Sequence, residues 1–274
     1  MVNLIRFAMH LVIASFGWIG IAHAQTCTPI PFIPVVITAP GTYCVAGYLT
    51  TSQSTGAAIE IQADNVTLDF ASGAIAATSP DNGAIGVYAL DRNGISVLNG
   101  SIQRFMYGIA IENSASDYSN TGGHVVSDMD IVLSRVVAIE VRGVNTRLTR
   151  NLVESTGNGE LGSSVAINVF GPGAYLYQNS IIDTAAQGDS ASATDIQVSG
   201  GGCDLEENRL VNTVSAQNAS WGVILWSATD CLVRNNMLDN RTTTPLDIGV
   251  YIVEGKHVQL ISNTFTNVVR NSVR

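Results

Sequence analysis

A short pattern of small, apolar and variable positions recurs through the second half of the chain. Each unit has a small or polar residue followed by two apolar residues that flank one variable residue, at positions 138–141, 166–169, 195–198, 222–225 and 249–252. This alternation has the period of two that is typical of a β-strand, in which successive side chains point to opposite faces. The pattern predicts five equivalent strands.

An asparagine follows the first apolar residue of each unit after 12 or 13 residues. Steps of 28, 29, 28 and 27 residues separate these asparagines, which are Asn151, Asn179, Asn208, Asn236 and Asn263. A repeat of this length predicts a solenoid, because no unit can bury its apolar face alone. We expect each asparagine side chain to turn inward and bond its copies in neighbouring coils, so that its role is structural.

The same register extends towards the amino terminus, with first apolar positions at Ile59, Ile85 and Ile109. Together with the five later units this gives eight coils, which would form a column about 38 Å long at a strand spacing of about 4.8 Å. A leucine-rich repeat is the alternative at this repeat length, but it requires a helix and a leucine spacing that the units lack. The sequence therefore predicts an all-β parallel β-helix.

Residues 1–24 have the features of an export signal. An apolar run of eleven residues from Leu11 to Ile21 precedes the small-residue sequence Ala22-His23-Ala24. A membrane anchor, the alternative, needs roughly 18 apolar residues or more. We therefore expect an exported protein, periplasmic or secreted, with no membrane association after cleavage.

The net charge limits the classes of partner, and the cysteines predict disulfides. The formal net charge of −9 argues against nucleic acid as a partner. Because export permits disulfides, we expect Cys27 and Cys44 to staple an amino-terminal cap. Cys203 and Cys231 would stack in adjacent coils, either as a disulfide or as two buried thiols.

These features divide the chain into a signal peptide at 1–24, a cap segment at 25–56, the β-helix at 57–268 and a tail at 269–274. The tail either covers the last coil or leaves it free for another molecule, which would permit end-to-end self-association.

Two segments, AAIEIQADNVTLDF at 57–70 and GISVLNGSI at 94–102, resemble the opening coils of right-handed parallel β-helix proteins of the pectin-lyase-like superfamily. The resemblance covers about residues 35–268. It implies a right-handed coil and, since the superfamily holds polysaccharide lyases, glycoside hydrolases, epimerases and surface proteins, a polysaccharide as substrate or partner. Polygalacturonase-like members of the superfamily carry a Gly-His-Gly and an Arg-Ile-Lys element. Neither is found here, because Val125 follows Gly123-His124 and the only lysine, Lys256, is not part of an Arg-Ile-Lys sequence.

Any ligand of a packed β-helix must lie on its outside, and two outward columns flank the second strand of each coil. One column is Arg147, Tyr175, Asp204, Leu232 and Gln259, and the other is Thr149, Tyr177, Glu206, Arg234 and Ile261. We predict catalytic roles for four of these residues, Asp204, Glu206, Arg234 and Arg147, and sugar stacking for Tyr175 and Tyr177. The alternative is that Glu206 and Arg234 form a cross-coil ion pair on a solvated face.

The outward column of the first strand is the second candidate surface. Its predicted members are Tyr88, Glu112, Arg142, Phe170, Ser199, Trp226 and Val253, with Tyr251 beside them. We predict that Arg142 and Trp226 bind substrate, because exposed aromatic rings on a sheet face suggest sugar stacking or a partner surface. The alternative is that a loop covers the rings.

Other groups could contribute chemistry. Four arginines fall within sixteen residues, Arg135, Arg142, Arg147 and Arg150. In a uronan lyase, a base removes the proton beside a carboxylate that arginine or Ca²⁺ neutralises, so Ca²⁺ is the one cofactor considered. The arginines could equally balance nearby acids.

His124, in a long insertion, could act as a base near neutral pH or be merely solvated. Glu160 and Asp189 lie in loops at one edge.

The sequence thus predicts an exported β-helix of about eight coils that acts on or binds a polysaccharide, as a uronan lyase or a glycoside hydrolase. A non-catalytic surface-binding or structural module is the alternative.

Overall fold

The computed structural model describes residues 27–79, 83–116, 118, 120–157, 162–216, 218–241 and 246–273. The predicted signal peptide at 1–24 lies outside these residues. The described part of the chain consists of strands and turns. No helix in it has the length and apolar character needed to cross a membrane.

The first half of the chain contributes the following strands: β1 (Thr28–Pro29), β2 (Val35–Ile37), β3 (Gly41–Cys44), β4 (Tyr48–Thr51), β5 (Ala57–Ile61), β6 (Val66–Asp69), β7 (Ala74–Ala77), β8 (Ile85–Leu90), β9 (Ser96–Gln103), β10 (Tyr107–Glu112), β11 (Val125–Val132) and β12 (Val137–Arg142).

The second half continues with β13 (Arg147–Thr149), β14 (Leu152–Glu154), β15 (Ser164–Phe170), β16 (Tyr175–Tyr177), β17 (Ser180–Ile182), β18 (Ala185–Ala186), β19 (Ala193–Ser199), β20 (Asp204–Glu206), β21 (Arg209–Val211), β22 (Val214–Ser215), β23 (Ser220–Trp226), β24 (Leu232–Arg234), β25 (Met237–Asp239), β26 (Leu246–Val253), β27 (Gln259–Ile261), β28 (Thr264–Thr266) and β29 (Val268–Val273).

The strands stack into three parallel ladders, one for each face of the coil. The first ladder is β2-β5-β8-β10-β12-β15-β19-β23-β26-β29. The second runs through β3, β6, β13, β16, β20, β24 and β27, and the third through β4, β7, β14, β17, β21, β25 and β28, while the long strands β9 and β11 take part in both. This arrangement confirms the predicted parallel β-helix of about eight coils.

The core is a set of vertical files of apolar side chains. In the first ladder one file is Ile59, Val87, Ile109, Ile139, Ile167, Ile196, Val223 and Val250. The prediction of Ile85 in this file was wrong, because Ile85 pairs with Ala57 and Tyr107 two residues earlier. Gly86 supplies the small residue of the motif at this coil, so that the fully buried Val87 becomes its first apolar position.

The predicted asparagine ladder is present and buried in the turn between the second and third ladders. Each amide nitrogen from Asn151 to Asn236 donates to the side-chain oxygen of the next asparagine at 2.9–3.0 Å. The same oxygens accept backbone N–H groups at 2.9–3.1 Å. Further bonds from the amide nitrogens reach backbone carbonyls one coil earlier, so the buried turn is satisfied by side chains.

The ladder ends at its amino-terminal side where aromatic packing replaces it. The N–H of Met129 still donates to the Asn151 oxygen at 3.1 Å. One coil earlier the position is Gly100, where an added Cβ would lie 2.0 Å from Cβ of Phe70. The fully buried Phe70 ring therefore takes the space that an asparagine side chain would need.

Both expected cysteine pairs are disulfides. Cys27 and Cys44 join the start of the chain to β3, with their Cα atoms 5.6 Å apart. Cys203 and Cys231, whose state was left open, are also bonded, with a Cα separation of 4.5 Å that reflects direct stacking of adjacent coils.

The first ladder continues past the predicted boundaries of the β-helix. Strand β2, within the predicted cap segment, pairs with β5. Strand β29, which contains most of the predicted tail, pairs with β26 and so extends the same sheet.

One buried carboxyl stands out in the core. Asp195 occupies the small-residue position of its unit, beside Ala166 and Gly222, and is fully buried. The Thr213 hydroxyl donates to its Oδ2 atom. Burial raises the pKa of Asp195 to about 7, against the opposing effect of the threonine hydroxyls.

The first prediction concerns the asparagine ladder. Replacing Asn208 by Ala removes the acceptor for the N–H of Asn179 and the donor to the Leu176 carbonyl. Because each unsatisfied buried group costs ~1–3 kcal/mol, we expect the free energy of unfolding to fall by about 3 kcal/mol or more in urea titrations. The exposed Asn218→Ala is the control, expected to cost less than about 1 kcal/mol. Equal losses in the two variants would contradict a special role for the ladder.

The second prediction concerns Asp195 and pH. The unfolded chain loses this proton near the ordinary aspartate pKa of 3.8, whereas burial raises the pKa in the folded chain to about 7. This group therefore destabilises the fold progressively as pH rises between these values, by up to ~4 kcal/mol. The melting temperature of Asp195→Asn, relative to that of the wild type, should increase as pH rises through this window and stay constant above it. A difference that does not vary with pH would refute the assignment.

Candidate functional site

The outer face of the second ladder carries the predicted carboxylates and arginine. Register places Tyr175 beside Asp204 and Tyr177 beside Glu206. Arg234 follows on β24, and its Nη2 atom lies 3.1 Å from Asp204 Oδ2 and 2.8 Å from Glu206 Oε2. The sequence thus identified residues that do meet on one face, and the alternative of a cross-coil ion pair is also realised there.

Aromatic rings adjoin this network. The Tyr175 and Tyr177 rings have centroids 5.9 Å apart and planes 18° apart, and the Arg147 guanidinium lies 4.8 Å above the Tyr175 ring. Arg234 is held in its charged state, since the Asp204 and Glu206 carboxylates raise its pKa although burial opposes this. The groups of this face therefore interact mainly with one another.

Three of the four neighbouring arginines, Arg142, Arg147 and Arg150, have different partners and do not form one cationic cluster. Arg147 stacks on Tyr175, and Arg150 bonds Asp128 at 2.7 Å on the second ladder. Arg142 lies instead on the outer face of the first ladder. The chain folds these arginines onto separate faces because a turn between β12 and β13 intervenes.

The outer face of the first ladder contains a polar cluster formed by Tyr88, Tyr107, Glu112, Glu140 and Arg142. Glu140 is only 5% exposed, and its Oε1 atom lies 2.7 Å from Arg142 Nη2. The Asn168 amide donates to Glu140 Oε2 at 3.2 Å. Both oxygens of this buried carboxylate are thus paired, as its charge requires.

Two tyrosines complete the polar cluster. The Tyr88 hydroxyl donates to Glu112 Oε2 at 3.5 Å. In the pairing of β8 with β10, Leu90 rather than Tyr88 lies directly beside Glu112. The predicted outward column was therefore wrong by two residues at this coil, as was the inward file, where Val87 replaces Ile85. Burial and the Glu112 carboxylate raise the pKa of Tyr88, and burial with the Glu140 carboxylate raises the pKa of Tyr107. Both hydroxyls are therefore protonated donors near neutral pH.

An aromatic groove lies further along the same face. Its volume is 300 Å³, and it is lined by Ser163, Val165, Ser192, Thr194, Gln197, Trp221, Ile224, Trp226 and Tyr251. The Trp221 and Tyr251 rings are 6.5 Å apart and nearly parallel, at 12°. Trp226, a predicted binding residue, is 40% exposed. Here the rings are open, whereas Phe170 in the same column is covered by the Tyr118 ring at 5.9 Å and by Arg142 at 4.8 Å.

Sequence reasoning missed several of these residues. Asn168 and Gln197 occupy the variable position between the two apolar residues of the motif, as do Glu140 and Tyr251, which the sequence did place on the outside. That position points outward in every unit, so the signal was present in the repeat itself. Trp221 precedes the motif, and only the pairing of β23 with β26 reveals that it stacks on Tyr251.

His124 is not the solvated loop residue considered as a base. It is fully buried just before β11, and the N–H of Ile95 donates to its Nδ1 atom at 3.4 Å. Burial lowers the pKa of His124 to about 4, so the ring is neutral and out of reach of a surface ligand. Glu160 lies outside the described residues, and Asp189 lines a shallow depression beside Gly162.

A Ca²⁺ site requires several oxygen ligands that converge on one point. Within the residues the structure describes, no three His, Cys, Asp or Glu side chains come together as a metal site would require. A depression of 430 Å³ over Gly73 and Gly100 is lined by two aspartates, Asp128 and Asp130. Asp128 is bonded to Arg150, which lowers the pKa of Asp128.

Comparison with known proteins defines the fold. No protein-family model and no curated protein sequence matches the chain. A double mutant of the tailspike protein of E. coli bacteriophage HK620, in complex with a pentasaccharide, is similar with a TM-score of 0.55 and 12% identity over 82% of this chain. The chain spans about half of that tailspike, 51%.

Two further structures are more distant. The Azotobacter vinelandii mannuronan C-5 epimerase AlgE6 A-module gives a TM-score of 0.47 with 11% identity, covering 92% of this chain and 89% of the module. PfbA, a surface adhesin of Streptococcus pneumoniae, gives 0.45 with 9% identity, covering 85% and 83%. Membership of the pectin-lyase-like superfamily stays a prediction at these identities. In topology and in its structural neighbours, the chain is a parallel β-helix protein.

Proposed function

We propose that this protein is exported and binds a polysaccharide along the outer face of the first ladder. The observation that carries the proposal is the aromatic groove, in which Trp221, Trp226 and Tyr251 present rings beside hydroxyl and amide side chains. Ligand sites are typically concave and apolar, with a few polar groups that fix orientation. Sugar rings match such a surface, because their C–H faces pack on aromatic rings while their hydroxyls bond polar neighbours.

The face suits a linear polymer. Arg142, Phe170, Ser199 and Trp226 form one file along the axis. At a strand spacing of about 4.8 Å, three steps between Arg142 and Trp226 cover roughly 14 Å. A chain of sugars lying parallel to the axis could therefore contact both predicted binding residues. The pentasaccharide held by the tailspike with the same fold supports carbohydrate as the ligand class.

Export is supported by the two disulfides, which form and persist in oxidising compartments. Cleavage after Ala24 would give a mature chain that begins at Gln25, which amino-terminal sequencing checks.

The binding prediction uses Trp226. Trp226→Ala removes an exposed ring from the groove, and we expect the affinity for a bound oligosaccharide to fall by about tenfold or more, equivalent to ~1.4 kcal/mol. Isothermal titration calorimetry measures the change. Tyr48→Ala, which removes an exposed aromatic ring far from the groove in β4, should bind like the wild type. Unchanged affinity in the Trp226 variant would remove the groove from the site.

Cleavage of the bound glycan is a second candidate function, favoured by the polar cluster. Glu112 and Glu140 lie on neighbouring strands two positions out of register, so their Cα atoms are about 8 Å apart from the strand spacing and rise. Glycosidases use two carboxyl groups that flank the scissile bond, and two glutamates on adjacent strands of one face suit that role. Tyr88 and Tyr107 would supply protonated donors. The predicted catalytic roles of Asp204, Glu206, Arg234 and Arg147, and of Tyr175 and Tyr177 in binding, stay proposals for the second ladder.

An activity assay separates these possibilities. Incubation with a panel of neutral and uronic-acid glycans should yield new reducing ends if the protein hydrolyses, or absorbance of unsaturated uronate if it eliminates. We expect Glu140→Gln to abolish product formation, because one of the two carboxyl groups of the polar cluster is lost. Glu206→Gln should still form product. The opposite result would favour the second ladder as the active face. Binding without product from any glycan would favour the non-catalytic module.

A further inference from the structure

We infer that the aromatic groove takes an uncharged glycan, built of hexose or N-acetylhexosamine units, rather than a uronan. The inference rests on the proposed function and names the ligand class of the same site. It follows from the absence of charge among the described residues that line the groove and from the neutral hydrogen-bonding groups that this lining contains.

The groove has no charged side chain among its nine lining residues. A uronate bound there would lose part of its hydration without gaining a cation, and an unpaired carboxylate in a partly buried site is costly. The net charge of −9 adds a general repulsion of anionic polymers. Neutral sugars carry neither penalty.

Two arginines of the outer faces are already engaged, and a third, Arg270, lies two strands beyond Trp221 in the same file and does not line the groove. Arg142 is paired with Glu140, covers Phe170 and lies three coils from Trp226. Arg234 is paired with Asp204 and Glu206 on the second ladder. The single lysine, Lys256, lies in the turn after β26 and does not line the groove.

The polar groups of the groove are the neutral donors and acceptors that sugars use. Ser192, Thr194 and Gln197 line the groove, with Thr194 directly beside Trp221 and Gln197 beside Ile224 on the next strand. Val165 and Ile224 offer an apolar surface for an acetamide methyl group.

The test is a titration of the mature full-length protein with four hexasaccharides: cellohexaose, chitohexaose, hexagalacturonate and hexamannuronate. Calorimetry and tryptophan fluorescence report binding, and circular dichroism confirms that each variant is folded. We expect at least one neutral hexamer to bind, with both uronates weaker by about tenfold or more. Trp226→Ala should weaken the neutral binding by about tenfold or more, and Gln197→Arg should gain affinity for the uronates by supplying a cation.

The outcomes separate this inference from the proposed function. A uronate that binds more tightly than both neutral hexamers, and whose binding is lost in Trp226→Ala, would overturn the uncharged ligand while keeping the groove. Uronate binding that survives Trp226→Ala but is lost in Arg142→Ala would move the site to the polar cluster and also overturn it. If no hexamer binds in a manner that depends on Trp226, the proposed function itself fails.

Discussion

Hydrogen bonding between equivalent positions of successive coils is the constraint on which the rest of the structure depends. Three parallel ladders repeat it through the backbone, and the asparagines repeat it inside one turn. The residue before each asparagine has a left-handed backbone, with φ of 56° at Arg150 and 54° at Glu207. Such a conformation costs a non-glycine residue roughly 1–2 kcal/mol. The side-chain bonds of the ladder offset that cost and keep the turn identical in every coil.

Because the coils are in strict register, a side chain that points outward meets its counterparts above and below. On the second ladder this brings together opposite charges, which neutralise each other across coils. On the first ladder it brings together a paired buried carboxylate at one end and open aromatic rings at the other. The stacking geometry is the same on both faces. The charged groups of the second ladder are paired with one another, whereas the aromatic rings of the first ladder line a groove that a ligand can enter.

The repeat made much of this predictable. The file from Ile139 to Val250, the asparagine ladder and the meeting of Tyr175, Asp204 and Glu206 all follow from spacing alone. Where spacing was ambiguous the sequence could not decide, since Ile85 and Val87 are apolar residues of the same face and only pairing with neighbours selects Val87. His124 could not be placed either, because a long insertion hides which of its residues re-enter the core. The groove was predicted only in part, through Trp226 and Tyr251, because its other walls come from several coils and from the segments that connect them.

The Cys203–Cys231 bond gives the rod a mechanical property that hydrogen bonds alone do not. A pull along the axis loads every interface between neighbouring turns in series, and the weakest one opens first. The disulfide prevents the interface between these two coils from separating, so this interface is not the one that opens first. The segment next to Trp226 would thus stay intact under traction on an anchored polymer, and rupture would begin elsewhere along the column.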